Sequence, residues 1–249
     1  MHHALLISEI VDLIIAQLDP LGRWQAAALA ALARTSTIFH DSALDMLWKR
    51  QSNIENLIRC MPDGVWEVTN ATLTPTRAIT VADWDRVFKY APRIKSVSCF
   101  EHVNADNNNP ALLKVYETLR HCCVPCDYLL PHLEELSWYH FEAIYSPFID
   151  LFLGPRVKSI RLGEQWDGRC PALNTLLARR LDLTSAVIDG VDVGSPESER
   201  SQLSSFIRSL THPEFVDVRT IDSDALTHLG HLTTPHHPPH HLPCFAIPP

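Results

Sequence analysis

The stretch PRIKSVSC, residues 92–99, decides the fold, because its pattern returns along the chain. Similar stretches are PHLEELSW at 131–138 and PRVKSIRL at 155–162, and weaker copies begin at Pro171 and Pro213. The shared form is proline, any residue, apolar, two of any kind, apolar, any, apolar. Apolar residues two positions apart lie on one face of a β-strand. Each copy therefore predicts a short strand with one buried face.

Helical patterns fill the intervals between these strands, at 112–119, 148–153 and 203–210. Strands alternating with helices predict a parallel sheet with right-handed crossovers. The strand pattern resembles the LxxLxL core of leucine-rich repeats, whose strands stack in parallel with their apolar residues inward. The resemblance implies an irregular leucine-rich-repeat-like α/β solenoid over residues 92–232. A plain α/β domain with proline before several strands is the alternative.

In such a solenoid, the outward-pointing strand residues are a candidate surface for binding a protein client. A solvated face without a partner is the alternative for the same residues. The candidate client-binding residues are Ser96, Ser98, Glu135, Ser137, Ser159, Arg161, Asp217 and Arg219.

The N-terminal segment 5–18 is apolar in a different way. The polar residues Ser8, Glu9, Asp12 and Asp19 occupy one narrow strip of a helix, with Ser8 as the predicted N-cap. A helix that is apolar on most sides has to be buried on most sides. Burying each large apolar side chain is worth roughly 1.5–3 kcal/mol, so these residues are expected to find a partner surface.

Two more helices are predicted before residue 50. The first follows Asp19-Pro20 and has one face formed by Trp24, Ala28, Ala31, Leu32 and Thr35. The second is capped by Asp41 or Ser42 and ends near Trp48. Three helices in fifty residues form too small a unit to bury this much apolar surface alone. The surplus is expected to contact either the rest of the chain or another protein.

The runs LLISEI (5–10), LARTS (32–36) and ALDMLW (43–48) resemble the F-box of fungal F-box proteins. The resemblance implies that the first helix docks on the Skp-type adaptor of SCF ubiquitin ligases and, through the adaptor, reaches a cullin. Ser8 stands where the family has proline, which keeps a helix start but predicts weaker adaptor binding. The residues that the resemblance assigns to the adaptor are Leu5, Leu6, Ile7, Glu9, Ile10, Leu13, Ile14, Leu18, Leu32, Leu47 and Trp48.

The resulting hypothesis is a substrate-recruiting F-box subunit that directs a client to ubiquitin-dependent degradation. It has an F-box at 1–50, a helical linker at 51–91 and a client-binding repeat region at 92–232. The alternative is a leucine-rich-repeat-like protein-binding module with no ubiquitin role, whose N-terminal helices cap the solenoid.

Charge and cysteine usage narrow the class of protein. A net charge of −8 without a basic stripe argues against nucleic-acid binding. The apolar N-terminal run is interrupted by Glu9 and Asp12 and is too short for a bilayer core, so no membrane segment is expected. Seven irregularly spaced cysteines are typical of reduced thiols and predict an intracellular protein, cytoplasmic or nuclear.

Catalytic motifs are absent from the sequence: there is no GxSxG, GxxxxGK[ST], GxGxxG or HExxH. We therefore expect no enzyme activity, no cofactor and no metal. Cys123 and Cys126 form a CxxC, but no second pair stands at zinc-site spacing. The tail 233–249 is rich in proline and histidine and is predicted to be disordered; loose metal binding by its histidines is the less favoured alternative. The tail falls where another apolar strand is expected, so the sheet is predicted to end on an exposed edge.

Overall fold

The computed structural model describes residues 7–18, 23–69, 72–100, 110–122, 127–140, 143–163 and 171–232. Its N-terminal part is a group of three helices, α1 (Ser8–Ile15), α2 (Arg23–Thr35) and α3 (Thr37–Lys49). We call this group the head. Helix α1 begins at Ser8 with Ile7 in the cap position, so the prediction of Ser8 as N-cap is wrong by one residue. Helix α3 begins earlier than predicted, because the Ser36 hydroxyl accepts a hydrogen bond from the Ile38 amide and caps it.

The rest of the chain, which we call the body, is built around a parallel sheet. Its strands are β1 (Arg50–Gln51), β4 (Ser96–Phe100), β5 (Glu135–Tyr139), β6 (Ser159–Gly163), β7 (Ser185–Asp189) and β8 (Phe215–Val218). They lie side by side in that order, and each pair of neighbours is parallel. A separate antiparallel hairpin is formed by β2 (Trp66–Thr69) and β3 (Thr72–Pro75). The α/β class predicted from the repeated pattern is confirmed.

Helices connect the successive strands of the sheet. The crossover helices are α6 (Pro110–His121) after β4, a 3-10 helix (Ala143–Leu151) after β5, α7 (Pro171–Arg179) after β6 and α8 (Glu197–Ser209) after β7. Helix α9 (Ser223–Leu232) follows β8. Strand, helix and strand alternate as the sequence predicts.

One face of the sheet carries the core. Val97, Leu136, Ile160, Ala186 and Val216 stand side by side in the register, and all are buried. Two residues further along, Cys99, Trp138, Leu162 and Ile188 form a second buried row. The crossover helices contribute side chains to the same core, so they cover this face, and the alternating residues of each strand are left on the other face.

The backbone at the start of β5, β6, β7 and β8 repeats one hydrogen-bonding arrangement. The Lys95 carbonyl accepts from the amides of Glu134 and Glu135, at 2.8 and 3.0 Å. The same pair of bonds joins the Glu134 carbonyl to 158–159, the Lys158 carbonyl to 184–185 and the Thr184 carbonyl to 214–215. This repetition gives each strand the same register on the one before it.

The observed register corrects the structure predicted for two of the five sequence copies. The copy at Pro171 is a helix, α7, because proline fits the first helical turn and Leu173 and Leu176 also have helical spacing. The corresponding strand is β7, which no proline precedes at the expected place. The copy at Pro213 does contain a strand, but Val216 occupies the position predicted for Val218, a shift of two residues. Because side chains alternate with period two, this shift leaves Asp217 on the predicted face.

The segment 51–91, predicted as a helical linker, is also different. Besides α4 (Glu55–Ile58), a 3-10 turn (Val81–Trp84) and α5 (Val87–Tyr90), it contains the β2–β3 hairpin. Its residues Ile54, Leu57, Trp84 and Val87 are buried in the main core. The segment is therefore part of the body rather than a spacer between two units.

The head has a core of its own. Val11, Ile15, Leu29, Ala33 and Ala43 form a buried cluster that is separate from the main core. The face predicted for α2 is wrong, because Trp24, Ala28, Ala31 and Thr35 are exposed and Leu29 and Ala33 are buried instead. In an alanine-rich helix the apolar pattern is weak, so packing against α1 and α3 decides which side is buried.

Candidate protein-interaction surfaces

Helix α1 exposes a strip of large apolar side chains. Leu13 is 67% exposed, Ile14 51% and Ile7 47%, and Ile10 beside them is half-buried. Spacings of three, four and seven residues place these side chains on adjoining positions of the helix surface. Val11 and Ile15 of the same helix are buried in the head core. Helix α1 is therefore apolar on two sides, and the described part of the chain covers only the side with Val11 and Ile15. We call the other side, formed by Ile7, Ile10, Leu13 and Ile14, the α1 strip.

The other described adaptor candidates are divided between the α1 strip, the head core and the body. Glu9 is exposed, whereas Leu18, Leu32 and Leu47 are half-buried and pack against the head core. Leu5 and Leu6 lie outside the described residues, as does the Asp19-Pro20 cap. The structure therefore brings Ile7, Ile10, Leu13 and Ile14 together on one surface, whereas Leu18, Leu32 and Leu47 pack against the head core.

Trp48, the last adaptor candidate, packs on the body instead of the head core. Its ring stacks on Tyr90, with centroids 4.8 Å apart and planes 18° apart. Nearby, Arg93 forms salt bridges with Asp41 and Asp45 of α3. The Lys49 carbonyl accepts a hydrogen bond from the Lys95 amide, so α3 runs directly into the sheet. These contacts fix the end of the head on residues 90–95 of the body, directly before β4.

The face of the sheet opposite the core, which we call the open face, carries predicted client-binding residues in two rows. The first row runs Ser96, Glu135 and Ser159 in direct register, and the second runs Ser98, Ser137 and Arg161. Asp217 continues the second row beyond Val187. Glu135, Arg161 and Asp217 are exposed and the serines are half-buried. Sequence reasoning missed Phe215, which continues the first row and is 45% exposed, because the strand was predicted two residues out of register.

A third row contains Tyr139, Gly163 and Asp189, with Arg219 3.9 Å from the Asp189 carboxylate. Burial, together with the nearby Asp189 carboxylate, raises the pKa of the Tyr139 phenol, while the charge of Arg161 and a hydrogen bond with it act in the opposite direction. This row was not predicted, apart from Arg219, because the repeated sequence pattern ends one position before it. It adds an aromatic ring and an ion pair to the serine-rich rows.

The ring of Tyr139 lies directly over Gly163. A Cβ atom at Gly163 would stand 2.3 Å from Cδ1 of that ring, far inside contact distance. We therefore expect Gly163→Ala to displace the ring and to lower the free energy of unfolding by about 1–3 kcal/mol. Denaturant unfolding measures this, and a Tyr139→Ala background is the control, because without the ring the alanine has room. An equal loss in both backgrounds would show that the ring is not what makes glycine necessary.

A buried histidine lies behind the open face, at the end of β5. His140 stacks on Tyr145 at 4.6 Å and contacts Trp138 edge-on at 4.4 Å. Within the described ranges, neither of its ring nitrogens has a hydrogen-bond partner. Burial without a compensating charge lowers the pKa of His140 to about 4, so the ring is neutral at pH 7. It behaves as a member of the aromatic core and not of either surface.

Neither a metal site nor a membrane-spanning helix is found in the portion of the chain that the structure describes. Cys123, Cys126 and the tail histidines lie outside that portion. Comparison with protein-family models, with curated proteins and with solved structures gave no match. The candidate protein-interaction sites are therefore two surfaces, the α1 strip and the open face.

Proposed function

We propose that this protein is a substrate-recruiting F-box subunit of an SCF-type ubiquitin ligase. The observation that carries the proposal is the α1 strip: Leu13 and Ile14 remain in water while the opposite side of the same helix packs a small core. Burying each of them under a partner is worth roughly 1.5–3 kcal/mol. The strip belongs to the helix that the F-box resemblance assigns to the Skp-type adaptor.

The open face supports the client-binding half of the proposal. Parallel strands in sequence order, with β5 to β8 each placed by the same pair of carbonyl hydrogen bonds, fit a leucine-rich-repeat-like solenoid. Its uncovered side offers serine hydroxyls, Arg161, Asp217 and the Tyr139 ring to a protein client. In this proposal the protein contributes proximity: it holds a client near the ubiquitin-conjugating enzyme and so raises the client's effective concentration.

The second candidate is a leucine-rich-repeat-like binding module whose head is only a solenoid cap. The contacts of Trp48 with Tyr90 and of Arg93 with Asp41 favour it, since they hold α3 against the segment that leads into β4. A cap explains the position of α3. It leaves the exposure of Ile7, Leu13 and Ile14 on α1 unexplained, which is why we favour the adaptor-binding function.

The adaptor-binding test uses the purified full chain and a purified Skp-type adaptor. We expect the wild type to bind at micromolar concentration or tighter, and Leu13→Asp or Ile14→Asp to weaken binding by about 30-fold or more, because a charge would be buried where an apolar side chain was. Both residues are exposed, so neither change should alter the folded structure. Biolayer interferometry gives the dissociation constants, and circular dichroism checks folding.

Asp12→Asn is the matched control, since Asp12 is exposed on the same helix but away from the α1 strip. It is expected to bind like the wild type. A wild type that fails to retain the adaptor at micromolar concentration contradicts the receptor function and leaves the cap alternative. Co-purification of a cullin with the wild type but not with Leu13→Asp then separates a ligase subunit from an adaptor-binding protein outside a ligase.

A further inference from the structure

Charged side chains on the open face alternate in sign across the sheet. In the first row, Arg50 of β1 stands two strands away from Glu135 of β5, with Ser96 of β4 between them. In the second row, Arg161 of β6 and Asp217 of β8 are likewise two strands apart. All four charged residues are exposed. From β1 to β8 the charges therefore run positive, negative, positive, negative.

These four charges are not paired with each other or with their neighbours. Within the described ranges none of them takes part in a salt bridge, although Arg161 shares a hydrogen bond with Tyr139. At the rim of the same sheet, by contrast, Lys95 and Glu134 are paired at 2.9 Å. Two strand spacings amount to roughly 10 Å, which is too far for the members of one row to form an ion pair. The charges on the face are thus available to a partner.

The order of the signs is complementary to itself. A two-fold axis that lies in the plane of the face and passes between Glu135 and Arg161 reverses this order in a second copy. Glu135 of one copy then faces Arg161 of the other, and Arg50 faces Asp217. Each of these contacts occurs twice, because a two-fold interface uses the same surface of both chains.

The shape of the face is compatible with such a pair of sheets. Ser137 and Ser159 stand closest to the two-fold axis, and their short side chains allow the two sheets to approach. The line through the four charges is inclined by about 15° to the perpendicular of the strands, so the strands of the two copies cross at about 30°, the angle at which aligned sheets pack. Half-buried Val187 and 45% exposed Phe215 add apolar area to the face.

We propose that the open face is the interface of a two-fold symmetric dimer of this chain. The face is about 24 Å wide and 13 Å high, so the dimer buries on the order of 1,000 Å² in total, which is near the lower limit of specific interfaces. The net charge of −8 on each chain opposes association. We therefore expect a weak dimer, with a dissociation constant of about 10 µM.

The second copy occupies the surface that the proposed function assigns to a client. Dimerisation and client binding then exclude each other, so the free chain withholds its open face until a client displaces the second copy. This consequence rests on the proposed function, whereas the dimer itself does not. The α1 strip belongs to the head and is a different surface.

Analytical ultracentrifugation of the purified full chain, from roughly 1 to 200 µM, tests the proposal. We expect Arg161→Glu and Glu135→Arg each to raise the dissociation constant by about tenfold or more, because each places like charges at two symmetric contacts. The double variant with both changes should return to within about threefold of the wild type, because it restores both contacts with the signs exchanged. Circular dichroism checks that every variant is folded.

Arg219→Glu is the matched control, because it changes the net charge as Arg161→Glu does. Arg219 is 3.9 Å from Asp189 of its own chain and lies at the margin of the face, so this variant should stay within about threefold of the wild type. Leu13→Asp, on the α1 strip, should also dimerise like the wild type.

A wild type that stays monomeric up to roughly 200 µM overturns the proposal. Equal weakening by Arg161→Glu and Arg219→Glu also overturns it, since general charge repulsion would then explain both results, and so does a double variant that fails to recover. Loss of the dimer in Leu13→Asp alone would place the second copy on the α1 strip instead. Adaptor binding is measured separately with the purified adaptor, so the dimer and the proposed function can fail independently.

Discussion

Trp138→Ala is expected to lower the free energy of unfolding by about 3–5 kcal/mol, the range for a large aromatic residue removed from a packed core. Trp138 is fully buried on β5. It stacks against Tyr116 at 5.8 Å and packs on Phe152 at 5.6 Å. Tyr116 belongs to α6 and Phe152 directly follows the 3-10 helix, so these rings cannot collapse into the space without moving those elements. Equilibrium unfolding in urea, followed by circular dichroism, measures the loss.

Ser137→Ala is the control for this prediction, because Ser137 is the neighbouring residue on the same strand and lies on the open face. Its change in unfolding free energy should stay within about 0.5 kcal/mol. Similar losses for the two variants would contradict the division of β5 into a core face and an open face. The Trp138 variant should still bind the adaptor under conditions where it is folded, since the head core is separate.

The stability of the wild type is expected to fall by about 3 kcal/mol between pH 6.5 and pH 4, because of His140. Burial lowers the pKa of this residue to about 4 in the folded protein, against 6.5 for an exposed histidine. Between these values the unfolded chain takes up a proton that the folded protein does not. The unfolded state is therefore stabilised relative to the folded state as the pH falls. The free energy of unfolding rises again as the pH is raised through this window.

His140→Phe should remove this component of the pH dependence, because phenylalanine keeps an aromatic ring in the cluster and does not titrate. At pH 7 the variant is expected to be as stable as the wild type or more stable by about 1 kcal/mol, since two buried nitrogens that have no partner among the described residues are replaced by carbon. Urea unfolding at pH 7, 5.5 and 4 gives the two profiles. His231→Gln, at an exposed position of α9, is the control and should keep the wild-type profile; parallel profiles for wild type and His140→Phe would refute the assignment.

The α/β class and the face assignments were available from local sequence. The stretches at Pro92, Pro131 and Pro155 encode strands with alternating apolar residues, and the structure has strands at all three. Ser98, Ser137 and Arg161 were predicted to share the open face, and the register places them side by side. Alternation is a local property with period two, so short stretches suffice to show which residues point away from the core.

The surplus of apolar surface on α1 was also evident from composition, and Leu13 and Ile14 are indeed left exposed by the described chain. Which apolar residues of the head would be covered was not evident. Packing against the other two helices buries Leu29 and Ala33 in place of the predicted α2 face. The periodic signal of an alanine-rich helix is too weak to choose a side without its neighbours.

By itself, the sequence determined that parallel strands alternate with helices, which side of each strand enters the core and that α1 carries more apolar surface than one neighbour needs. Only the tertiary structure decided that Pro171 starts a helix, that Val216 and not Val218 stands beside Ala186, and that Trp48 stacks on Tyr90. Periodicity arises from the geometry of a few adjacent residues. Register, helix-or-strand choice for a short apolar run and the partners of an aromatic ring depend on residues that are distant in the chain and meet only when it folds.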